Sequence, residues 1–72
     1  MSSKLGKIIG TNLQKARKAK HYTQEDVAKK VDVTTNYYAT LERGIATASI
    51  ETYYEIFSVL GVRASNIFPD KF

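Results

Sequence analysis

The sequence predicts an all-α fold of five short helices, and three observations carry that expectation. Apolar residues recur at i, i+3, i+4 and i+7 through most of the 72 residues, which is the helical period. Helix starts and stops punctuate the chain: Thr23, Thr34 and Ser49 stand where helices would begin, and Gly44 and Gly61 where they would end. No segment sustains the alternation of a strand; Thr35–Thr40 is β-prone by composition, but it lies between a cap and a stop at helical spacing.

The first helix is expected over Leu5–Lys20. Leu5, Ile9, Leu13 and Ala16 form its apolar stripe, widened by Ile8, and lysines cover the other face. Gly10, inside this helix, costs ~1 kcal/mol relative to Ala; it either admits a close neighbour or is neutral. Lys20-His21-Tyr22 is a turn. Thr23 then caps a second helix, with Asp26 three residues on completing a short capping box, and Val27, Ala28 and Val31 share one face. Asp32-Val33-Thr34 breaks the pattern. Asp tolerates the left-handed backbone that ends a helix, and Thr34 is a fresh cap. The third helix runs from Thr35 to about Arg43, with Tyr38, Leu41 and Glu42 inward and Gly44 as its stop. Two short helices joined by a turn of about three residues have the outline of a helix-turn-helix, whose second helix enters the DNA major groove. A fourth helix is expected over Ile50–Leu60, with Ile50, Tyr53, Ile56, Phe57 and Leu60 inward. Ser65 caps a last turn, Asn66–Phe68, closed by Pro69.

Length and composition set outer bounds. The chain reads as a single domain over 1–72 with its core between residues 5 and 68. Such a domain buries only about 60% of its unfolded surface and gains from association. There is no cysteine, so no disulfide or thiolate metal site is available, as suits a reducing compartment. No apolar run nears the roughly 20 residues of a membrane span, and the N-terminus lacks a signal-peptide core; a cytoplasmic protein without membrane partners is expected. Residues 1–36 hold eight basic and three acidic side chains, a net of +5, against −1 for the remainder. That asymmetry suits a phosphate-facing surface, or simply a solvated helix face. His21 is the lone histidine, and Glu51 and Glu55 fall on a solvated helix face. No enzyme, metal or cofactor is expected.

Together these residues resemble the Cro and phage-repressor (XRE-like) helix-turn-helix family, a lambda-repressor-like DNA-binding domain. The pieces that carry the resemblance are Arg17, Tyr22-Thr23-Gln24-Glu25-Asp26-Val27-Ala28, Val33-Thr34, Leu41-Glu42-Arg43-Gly44, Ser49-Ile50-Glu51 and Leu60-Gly61-Val62, in that order. Their span covers about residues 5–68. The resemblance implies a transcriptional regulator that binds double-stranded DNA, akin to phage repressors or restriction–modification controllers. It implies that Gln24, at a helix N-terminus, touches phosphate or the recognition helix, although Gln is also simply a good first-turn residue. It places Arg17 and Glu42 together as a semi-buried ion pair, with DNA contact by Arg17 the lesser alternative. Thr35, Asn36 and Thr40 are expected to face bases behind the Thr34 cap, with Tyr37 alongside reaching phosphate or packing. Asn suits adenine, and Thr methyls suit thymine. Tyr38 fits the core better than the groove. Arg43, Lys29 and Lys30 are expected at the DNA backbone. Asp32 departs from a family Gly, and Ala48 from a common Pro.

One helix reads few base pairs, so a homodimer on two half-sites is expected. Val59, Val62, Ile67 and Phe68 exceed what so small a core needs and are assigned to its interface; the alternative is that Ile67 and Phe68 fold back onto the monomer. No small-molecule effector is expected. The rival function is a protein-interaction module, such as an antitoxin or bridging factor, on the same fold.

Overall fold

The computed structural model describes residues 4–70, so the ends of the expected 1–72 domain lie outside the described residues. It is all-α: α1 Lys4–Ala19, α2 Gln24–Lys30, α3 Thr35–Arg43, α4 Ile50–Leu60 and α5 Ala64–Ile67. The boundaries follow from local chemistry. Thr23 Oγ1 accepts from the Asp26 N–H at 3.0 Å, while Asp26 Oδ2 accepts from the Thr23 N–H at 2.8 Å, which satisfies two of the free donors of the helix start. The same bond from the Thr23 backbone N–H, with a second from its side chain, holds the exposed Asp26 carboxyl below the usual carboxylate range. Thr34 and Ser49 accept from Tyr37 and Thr52 in the same way, at 3.0 and 3.2 Å. Gly44 and Gly61 take φ of 76° and 68° and close α3 and α4. Asp32 adopts φ 59° at the end of α2, and His21 adopts φ 61° in the turn after α1.

The core is a single cluster in which Leu13, Val27, Tyr38, Leu41, Ile56, Leu60 and Ile67 are fully enclosed. Tyr53, Tyr54, Phe57 and Phe68 add an aromatic group with ring centroids 5.3 to 6.1 Å apart. Of the helix-turn-helix pair, α3 packs against α1 while α2 packs against α3 and α4, and α1 crosses the last turn of α3 at Gly10. A Cβ there would overlap the Glu42 carbonyl oxygen and lie 2.6 Å from that of Leu41.

Four expectations need correction. α1 begins and ends one residue earlier than the stripe suggested. α5 starts at Ala64, not after Ser65: the Arg63 N–H donates to Asn66 Oδ1 at 2.9 Å, so the asparagine reaches back over the first turn and Ser65 is not the cap. Ile50 is 58% exposed rather than inward, because it opens α4 ahead of the turn that meets the core. Ile67 does not lie on an outer apolar surface. It is 1% exposed, since α5 folds back onto α1 and Asn12 Nδ2 donates to the Ile67 carbonyl at 2.8 Å. Val59, Val62 and Phe68 remain half-buried.

Candidate nucleic-acid interface

The Thr34 cap spends its side-chain oxygen on α3's own backbone, and the following residues sort by helical angle. Tyr38, Leu41 and Glu42 turn inward; Thr35, Asn36 and Arg43 are exposed; Tyr37 and Thr40 are half-buried between them. The front of α3 therefore offers a carboxamide, a hydroxyl and methyl groups, with one guanidinium at its far end. Thr40 Oγ1 donates to the Tyr37 carbonyl at 2.6 Å, so its proton is committed and its methyl and lone pairs are what it can present. A carboxamide can pair with both N6 and N7 of adenine, and methyls can pack on thymine.

Around that front, charge is arranged less freely than the sequence suggests. Lys29 lies 3.9 Å from Glu25 on the same helix, both side chains well exposed, an arrangement that stabilises little. Lys30 Nζ sits 5.6 Å from the centre of the Tyr22 ring, within cation–π range. Both lysines thus have partners within or next to α2, on the face away from Val27 and Ala28.

Beneath the two helices lies a buried polar cluster. Arg17 Nε donates to Glu42 Oε2 at 2.7 Å and Nη2 to Oε1 at 3.1 Å, a two-pronged pair, in which both residues are 8% exposed. Arg17 Nη1 also donates to the Tyr22 carbonyl at 2.9 Å, which holds the turn into α2. Gln24 Nε2 donates to Glu42 Oε1 at 3.0 Å. Burial opposes ionisation of Glu42, but the donors from Arg17 and then Gln24 outweigh it and hold the carboxyl below its ordinary range. The hydrogen bond to Glu42 in turn raises Arg17, against the cost of burial. Tyr38 is wholly enclosed next to this pair, and its hydroxyl makes no hydrogen bond among the described residues. Burial first, and the neighbouring carboxylate second, push its pKa far above the usual phenol range. The resemblance implied that Gln24 touches phosphate or the recognition helix; the Gln24–Glu42 bond is a contact of the second kind, and what sequence reasoning did not name is the partner, 18 residues away on α3.

Among the described residues no group of three or more His, Asp or Glu side chains gathers as a metal would require, and no helix is long and apolar enough to cross a membrane.

A helix-turn-helix family model matches residues 13–66. Over 56 residues the chain is 36% identical to an uncharacterised HTH-type transcriptional regulator, y4dJ, of Sinorhizobium fredii, covering 78% of this chain and 73% of that one. Over 63 residues it is 34% identical to the control protein C.MunI of a Mycoplasma species, covering 86% and 85%. Among solved structures it is similar to SinR, a master regulator for biofilm formation, crystallised in complex with DNA. The TM-score is 0.71 and the identity 30%, over 76% of this chain and 89% of that one.

Proposed function

The chain belongs to the helix-turn-helix family as a transcriptional regulator with a DNA-binding fold, and from that premise we propose that it reads a palindromic or pseudo-palindromic operator as a homodimer. The observation that carries the reading is the display on α3. Its inner side is locked by Tyr38, Leu41 and Glu42, while Thr35 and Asn36 stand exposed directly behind the Thr34 cap. That is the placement a recognition helix needs, since its N-terminal residues meet base edges. The similar SinR is crystallised in complex with DNA, which supports DNA as the partner.

On this reading Thr35, Asn36 and Thr40 face bases, and Thr34, Tyr37, Arg43 and Gln24 meet sugar or phosphate. Lys29 and Lys30 add long-range attraction rather than fixed contacts. With no Arg at the front of α3, guanine is not read by a bidentate fork there, and specificity leans on A·T contacts and duplex shape. The second copy is expected to pack on the half-buried Val59, Val62 and Phe68 at the end of α4 and after α5. A two-fold axis there makes the surface self-complementary.

Selection from a random-sequence duplex pool by the full chain tests this. The expected product is an inverted repeat with half-site centres about one helical turn, or a multiple of it, apart. A pool that stays random would contradict sequence-specific binding, and a single unrepeated site would contradict the dimer.

A further inference from the structure

Charge divides this chain by segment. Residues 1–24 contain no acidic side chain, and residues 44–62 contain no basic one. The division produces two exposed faces of opposite sign, each with an apolar centre. On α4, Ile50 and Tyr54 stand one turn apart, both more than half exposed. Glu51 and Glu55, also one turn apart, are exposed beside them. On α1, Lys4, Lys7, Ile8, Thr11 and Asn12 line an open groove of about 320 Å³, in which Ile8 is half-buried and both lysines are exposed. The two faces do not serve each other within one chain. Among the described residues none of these four charges is in an ion pair, and α1 packs against α3 and α5 while α4 packs against α2. A single exposed apolar residue is ordinary. Two of them a turn apart, flanked by carboxylates, match a groove of opposite charge on the same molecule, and such complementarity selects a partner.

We propose that the α4 face of one copy docks in the α1 groove of a second copy, with Ile50 and Tyr54 packed over Ile8 and with Glu51 and Glu55 meeting Lys4 and Lys7. The contact joins two different patches, so it is heterologous. A copy whose α4 face is occupied still offers its α1 groove, and copies add head to tail. The contact uses none of the residues assigned to the two-fold pair, and it does not depend on the reading of DNA. One helix face in one groove belongs to the class of contacts under roughly 1,200 Å², which associate weakly and reversibly. Its charges are exposed, so salt screens it.

Sedimentation equilibrium of the full chain, up to millimolar concentration, tests this. In low salt the wild-type mass is expected to pass that of two chains and to fall back when salt is added. Glu51→Lys with Glu55→Lys leaves a protein basic on both faces; Lys4→Glu with Lys7→Glu leaves one acidic on both. Each alone should stop at two chains or fewer. Their equimolar mixture should grow again, because the reversed α4 face of the first fits the reversed groove of the second. All four side chains are exposed, so the helical spectra and melts should remain those of the wild type. Ile50→Ser, which changes no charge and takes nothing from the core, should also lower the mass. A wild-type mass that never passes two chains would overturn the contact. So would growth by the Lys4→Glu, Lys7→Glu protein alone, since α4 would then be pairing with its own copy, and so would a mixture no heavier than its two parts.

Discussion

Arg17→Ala is expected to lower the unfolding free energy by about 3–5 kcal/mol, the usual result of stranding one partner of a buried ion pair. The variant removes all three donors that Arg17 supplies, two to Glu42 and one to the Tyr22 carbonyl. Glu42 keeps only Gln24, and its carboxylate stays enclosed. Total stability in small domains is of the same order, so the variant should be largely unfolded when warm. Thermal melts should show a fall in Tm of about 15 °C or more. The pH dependence has a fixed sign. In the wild type Glu42 is held below its ordinary 4.5, so its stabilisation is full above that value and fades as pH falls through the folded pKa. Without Arg17 the buried carboxyl resists ionisation, and its folded pKa rises. The gap between the two proteins must therefore narrow toward acid pH. Overlapping melts at neutral pH would mean that the pair contributes nothing.

Gly10→Ala should destabilise, because overpacking against α3 costs about 1–3 kcal/mol or more, against a helix-propensity gain of ~1 kcal/mol in the other direction. The opposing groups are backbone carbonyls of Leu41 and Glu42. They cannot rotate away as a side chain would, so α3 has to shift as a unit to admit the methyl. Urea titration should give a lower midpoint with an unchanged slope. A higher midpoint would mean that α1 and α3 do not meet as closely as this. The shift also moves the last turn of α3, so DNA affinity should fall even where the variant is fully folded.

The features open to sequence reading were those set by near neighbours. Thr23, Thr34 and Ser49 cap helices because a hydroxyl two or three residues from a free N–H has few other options, and Gly44 and Gly61 end them because the left-handed backbone costs glycine little. The fold class followed, while the outward placement of Thr35 and Asn36 came from the family resemblance, since period alone puts Thr35 three residues from the inward Tyr38 and so near its face. What escaped depends on distant partners. Ile50 has the right period for the core, but period does not say where the neighbouring helices stop. Ile67 looked surplus by composition, whereas Asn12, 55 residues away, holds α5 down so that Ile67 fills the core. The two readings of Gly10 could be separated only by the crossing with α3. At α5, a serine cap was the default expectation, and Asn66 bonding back to Arg63 displaced it.

On the proposed function the front of α3 reads base identity, chiefly through Asn36. The most direct test is the affinity of wild type and Asn36→Ala for a selected duplex and for variants of it changed one base pair at a time. The wild-type protein should lose about tenfold or more at one A·T pair in each half-site, the value of a bidentate asparagine–adenine contact. Asn36→Ala should bind the parent duplex more weakly and be indifferent at that same pair, while remaining selective elsewhere. If Asn36→Ala instead weakens binding to every duplex by the same factor, Asn36 touches the backbone only, and base reading by this residue is contradicted.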